Sequence, residues 1–119
     1  IDLVATLLFE SQEKYEWTVA ALEDKRWADA IYHAYSVFIS AAKALLLDKS
    51  VTVSNQTAVI NKFDENFVST GEFAVDAETF SALVLQINQQ EPSEAFANQY
   101  VAEAERFLTA ATKYRQTQA

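Results

Sequence analysis

Cysteine and methionine are absent from this chain, and glycine and proline each occur once. Without cysteine there is no disulfide scaffold, no cysteine zinc site and no cysteine-held iron–sulfur cluster. A soluble chain of 119 residues ordinarily carries about eight glycines and about six prolines. Sheets, sandwiches and barrels turn on those residues, so their scarcity predicts long helices with few corners. The missing methionine implies something else: a chain that opens at Ile1 without an initiator is expected to be a processed product or a fragment of a longer protein. Positive charge is scarce too. Seventeen acidic residues against nine basic ones leave a net charge of −8, which favours solubility and opposes unspecific attraction to nucleic acid or anionic membranes.

Long apolar runs are also missing. None reaches the roughly 18 residues of a membrane span, and Asp2 and Glu10 flank the N-terminal apolar run in a way a signal peptide would not. The expectation is a cytoplasmic protein with no membrane contact. Half of the residues are hydrophobic, enough for residues 1–119 to build one core as a single domain.

Five helical segments can be read from the hydrophobic periodicity. The first spans Leu3 to Glu23, with Val4, Leu8, Tyr15, Val19 and Leu22 at helical spacing. The second, from Arg26 to Leu47, carries two adjacent apolar rows: Trp27, Ile31, Ala34, Phe38, Ala41 and Leu45 beside Ala28, Tyr32, Tyr35, Ile39, Ala42 and Leu46. Two rows side by side make a wide apolar face, so this helix is expected at the centre. Its one polar stripe is Arg26, Asp29, His33, Ser36, Ser40 and Lys43. A third helix is expected to start at Ser54 as N-cap, bury Val59, Ile60, Phe63 and Phe67, and stop at Gly71 in a left-handed conformation. Asp76 reads as the N-cap of a fourth helix presenting Phe80, Leu83, Val84 and Ile87. Pro92 and Ser93 open the last helix, which aligns Phe96, Tyr100, Ala104, Phe107, Ala111 and Tyr114. The fold class is therefore all-α, a five-helix antiparallel up-down bundle with no sheet.

The sequence is poor in catalytic arrangements. A single histidine and no Glu-x-x-His pair rule out the usual dinuclear carboxylate bundle. One glycine cannot make a phosphate-cradling loop. Glu10, Glu13 and Glu16, interleaved with Lys14, read as a solvated face rather than a metal site. Asp29 precedes His33 by four residues and is placed to pair with it, with Ser36 and Ser40 on the same stripe. Side chains on one helix rarely converge on a reacting atom, so the stripe reads as a solvated or partner-facing surface. Trp17 and Trp27 fall within helical patterns and are expected in the core rather than on a base-stacking platform.

The stretch from Arg26 to Phe73 resembles the HEPN family of small helical bundles. The segments Trp27-Ala28-Asp29-Ala30-Ile31-Tyr32-His33-Ala34-Tyr35 and Ala41-Ala42-Lys43-Ala44-Leu45-Leu46-Leu47 look like its "A-x-x-x-Y…A…KALL" pattern. Val59-Ile60, Phe63, Phe67-Val68 and Thr70-Gly71 are similar to its short third helix and exit. Many members are ribonucleases with an arginine and a histidine separated by four to six residues near the start of the final long helix. Arg26 and His33 have that spacing, but on the second helix, and Phe80 to Glu105 holds neither residue type. The resemblance therefore implies the fold with the ribonuclease site absent. Further, "YHAYSVFISAAKALLLDKSV", "INKFDENFVSTGEF" and "LVLQINQQEPSEAFANQYVAEAERFL" look like the helical C-terminal extension of certain bacterial sulfite or nitrite reductases.

That resemblance implies a non-catalytic interaction or oligomerisation domain, forming a homodimer or docking onto the parent enzyme. It implies no cofactor in this domain, with siroheme and the iron–sulfur cluster in the preceding part of the parent. Two alternatives stand beside it. One is a ribonuclease toxin using Arg26 and His33. The other is a nucleotide or small-ligand binding module walled by Arg26, His33, Ser40 and Lys43.

Overall fold

The computed structural model describes residues 1–118, and these are all-helical with no strand. Three helices are long: α1 (Leu3–Glu23), α2 (Trp27–Asp48) and α5 (Glu94–Gln118). Two are short. α3 (Gln56–Phe63) widens into a π turn over Asp64–Val68, and α4 (Phe80–Val84) tightens into a 3₁₀ turn over Leu85–Asn88. Both N-caps in this middle region differ from the sequence expectation. Asn55, not Ser54, accepts from Ala58 N at 2.8 Å, and Thr79, not Asp76, accepts from Ala82 N at 2.9 Å. Asp76 instead pairs with Arg106 of α5 at 2.7 Å. The start of α4 gains a second, non-local cap that no local motif reveals: the Asp64 carboxylate accepts from Phe80 N and Ser81 N at 2.7 and 3.0 Å. Ser93 caps α5 as its position after Pro92 suggests, accepting from Phe96 N at 3.1 Å.

Helix ends explain how the chain manages with one glycine. Gly71 holds φ +78°, as expected after a helix end. The exits of α1 and α2 need the same left-handed residue, and Lys25 (φ 59°) and Ser50 (φ 62°) supply it. In both cases the next amide reaches back to a carbonyl of the last turn: Arg26 N to Ala21 O and Val51 N to Leu46 O, each 2.9 Å. These bonds satisfy helix-end carbonyls and set the tight reversal between α1 and α2.

α2 is the central helix, packed against α1, α3 and α5. Its length and composition would suit a membrane span although no unbroken apolar run is that long, but 61% of that apolar window is buried inside the protein. α1 lies antiparallel to it and buries small residues at seven-residue spacing, Val4, Ser11 and Thr18, together with Ala21. Leu8, Tyr15 and Leu22 flank this row and pack on the core. The small row lets the two helices approach closely: the buried Ser11 hydroxyl donates to the Val37 carbonyl of α2 at 3.1 Å.

Seven of the eight phenylalanines are buried. Phe38 of α2, Phe63 of α3, Phe80 of α4 and Phe107 of α5 meet at one centre. Their centroids lie 4.6 Å apart for Phe63–Phe80, 4.9 Å for Phe80–Phe107 and 5.6 Å for Phe38–Phe107. Tyr100 is fully buried against Phe38, and its hydroxyl donates to the Val84 carbonyl at 2.6 Å. Burial pushes this phenol well above its usual range, so it stays a neutral donor.

The long connection between the π turn and α4 is tied down by polar contacts. Lys49 sits 4.3 Å over the Phe67 ring and donates to Asn66 O at 2.7 Å and to Glu72 at 2.8 Å. Tyr114 donates to the other Glu72 oxygen at 3.0 Å. Arg115 joins the N-terminus of α1 to the C-terminus of α2 through Asp2 at 3.1 Å and Asp48 at 3.6 Å.

Ser50→Gly is expected to raise stability by up to about 1 kcal/mol in urea unfolding, because the left-handed penalty on a side chain exceeds the added chain entropy of glycine. The hydrogen bonds from Lys49 and then Tyr114 hold the Glu72 carboxyl below its usual range. Its contribution is therefore complete above the ordinary glutamate range and is lost as pH falls through the lowered value. Unfolding midpoints of wild type and Glu72→Gln are expected to converge as pH drops from about 6 to about 3.

Candidate functional site

The antiparallel α1–α2 pair leaves a groove along one side. Leu7, Glu10 and Lys14 of α1 face Ser36, Ile39, Ser40 and Lys43 of α2 across it. The segment from Val53 to Gln56, with Val59 of α3, closes one end, and the space between is about 270 Å³. Tyr35 fixes that end in place, its hydroxyl donating to Gln56 Oε1 at 3.0 Å. Burial, the largest cause, raises the Tyr35 phenol above its usual range.

The expected polar stripe of α2 divides into three parts. Ser36, Ser40 and Lys43 line the groove. Their hydroxyls are already committed: Ser36 donates to Tyr32 O at 3.3 Å, and the buried Ser40 to Ser36 O at 2.8 Å. Such bonds back to the preceding turn leave the serines able to accept from a ligand, with their own protons directed to backbone carbonyls rather than to a side-chain base. Among the described residues, neither Lys14 nor Lys43 forms an ion pair.

His33 forms the second part, half-buried between aromatic rings. Trp17 of α1 lies 6.1 Å away edge-on and Tyr32 lies 6.0 Å away, centroid to centroid. Asp29 does not pair with it, contrary to the spacing argument. That carboxylate is taken by Arg26, at 2.9 Å, and Arg26 also approaches Asp24 at 3.6 Å. Arg26 and Asp29 are thus an exposed pair at the tip of the hairpin, the third part of the stripe. An arginine held by two carboxylates is poorly placed to stabilise a developing phosphate charge.

The features that sequence reasoning missed are aromatic and outward-facing. Trp17 was expected in the core and is 55% exposed; Tyr32, assigned to the second apolar row of α2, is 63% exposed. Phe9 is 65% exposed, alone among the phenylalanines. Trp27, by contrast, packs against the core as expected. A signal was present. Phe9 and Trp17 fall off the row that contains Val4, Leu8, Tyr15 and Leu22, and a 100° step per residue puts them on the outward side of α1. Glu10, Glu13 and Glu16 are exposed around them. Among the described residues, no group of three or more His, Asp and Glu side chains is arranged to hold a metal ion.

Exposed rings contribute little to folding. Trp17→Ala and Tyr32→Ala are each expected to change stability by about 1 kcal/mol or less, against about 3–5 kcal/mol for Phe107→Ala at the aromatic centre, in denaturant titrations of the three variants. Comparison with protein families, with curated proteins and with solved structures returned no match.

Proposed function

We propose that this chain is a non-catalytic interaction domain, an HEPN-like up-down helical bundle that serves as the C-terminal accessory domain of a cytoplasmic sulfite or nitrite reductase. The reading rests on one observation above all. A small, tightly packed helical protein exposes Trp17, Tyr32 and Phe9 on the outer side of its α1–α2 hairpin, and large aromatics are the side chains that carry binding energy in protein interfaces. In this reading the siroheme and iron–sulfur cluster belong to the preceding part of the parent, and this domain supplies a docking or dimerisation surface.

Other features of the site agree with a binding role. Arg26 is engaged by Asp29 and Asp24. His33 is bracketed by two rings. Both facts weigh against the ribonuclease alternative, which needs the arginine and the histidine free to act together on one phosphate. The groove supports a second reading, a small-ligand module, because it gathers Lys14, Lys43 and two serine hydroxyl groups beside about 270 Å³ of open space. Glu10 in the same wall makes it a mixed-charge groove, so the aromatic face remains the better-supported contact.

Placing a photo-crosslinking amino acid at position 17, and separately at the exposed Gln90, tests the interaction reading inside cells. A crosslinked polypeptide of discrete mass from position 17, and none from position 90, is the expected result. Equal capture at both positions, or no capture at 17, contradicts it.

A further inference from the structure

We infer that the outward face of α1 receives a basic amphipathic helix, with apolar residues on one side and lysine or arginine along its edges. This rests on the interaction reading above and adds the chemistry of the partner. Two observations on the same face lead to it. First, apolar anchors share the outward side of the hairpin: Trp17 and Tyr32 both lie about His33, at 6.1 and 6.0 Å, and the exposed Phe9 stands about two turns nearer the N-terminus of α1. Second, Glu13 and Glu16 stand exposed between and beside these rings. The one base within this stretch, Lys14, turns away into the groove beside α2. Apolar side chains in an acidic rim select a partner of the opposite pattern, because carboxylates steer and orient a cationic edge while the rings bury against its apolar side.

A second copy of the chain fits this face poorly. It would bring the same glutamates to the contact, in a protein that already carries −8, and like charges across an interface oppose association. Nucleic acid and anionic lipid are repelled for the same reason. A helix about as long as the span from Phe9 to Trp17, roughly 12 Å at 1.5 Å per residue, would reach both end anchors and pass Glu13 on the way.

Isothermal titration calorimetry with an amphipathic helical peptide of leucine and lysine, about 18 residues long, tests the inference. Two controls accompany it: the same peptide with glutamate in place of lysine, and a scrambled order of the same composition. Two variants of equal charge change separate this face from general attraction, Glu13→Gln/Glu16→Gln on α1 and Glu78→Gln/Glu91→Gln elsewhere. The expected result is binding of the ordered basic peptide only, weakened about tenfold or more by Trp17→Ala and by the α1 pair but not by the remote pair. Raising the salt concentration is expected to weaken it further. Equal binding of the scrambled peptide, equal loss from both variant pairs, or self-association that Trp17→Ala abolishes each overturns the inference. The interaction reading fails separately, by the absence of a crosslink at position 17.

Discussion

The packing of four phenylalanine rings from four different helices holds this protein together. Phe38, Phe63, Phe80 and Phe107 meet where α2, α3, α4 and α5 converge. Neither α3 nor α4 is long enough to be stable by itself, since isolated helices need about 12–15 residues to be even marginal in water. Tertiary packing supports them: α3 buries Val59 and Ile60 with Phe63, and α4 buries Leu83 and Val84 with Phe80. The surrounding polar contacts then select orientation. Asp64 caps α4 from across the chain, Tyr100 bonds the carbonyl at the end of α4, and Lys49 with Glu72 and Tyr114 pins the connection between them. Among the described residues, α1 is the only α-helix outside the quartet. It adheres through Leu8, Tyr15 and Leu22, small buried side chains and a serine bonded to the backbone of α2.

Much of this arrangement could be read from residue order. The extents of α1, α2 and α5 follow from 3.6-residue periodicity. The buried rows of α2 and α5 contain most of the residues that periodicity assigns, including Phe38, Tyr100 and Phe107, whereas in α1 only Val4 of the expected row is buried. The lone glycine and lone proline also sit where helix-end chemistry puts them. The middle region was less legible for a physical reason. Helix starts there compete among several capping residues, and at α4 the outcome involves Asp64 and Arg106, whose places in space no local pattern encodes. Asp76 is a good capping residue by type, yet a cation from α5 reaches it first.

The candidate site was half legible. The polar stripe of α2 exists, and Ser36, Ser40 and Lys43 do line one groove. Its pairing was not foreseen, because Asp29 can meet either Arg26 three residues before it or His33 four residues after it, and the arginine wins with a charged, well-directed hydrogen bond. The exposed rings were misjudged more seriously. An aromatic residue in a helical pattern is ordinarily core, but Trp17 lies off the row of Val4, Leu8, Tyr15, Val19 and Leu22 and faces outward. α1 buries a serine and a threonine beside its apolar core residues while exposing a phenylalanine and a tryptophan. That exposure is what the proposed binding role of α1 rests on.

The proposed binding role requires that Phe9, Trp17 and Tyr32 be covered when the protein is at work. Hydroxyl-radical footprinting read by mass spectrometry, in intact cells and on the purified chain, addresses this directly because it reports ring by ring. Strong protection of Phe9, Trp17 and Tyr32 in cells, with Tyr114 oxidised to the same extent in both samples, is the predicted result. Equal oxidation of the three rings inside and outside the cell would contradict the account.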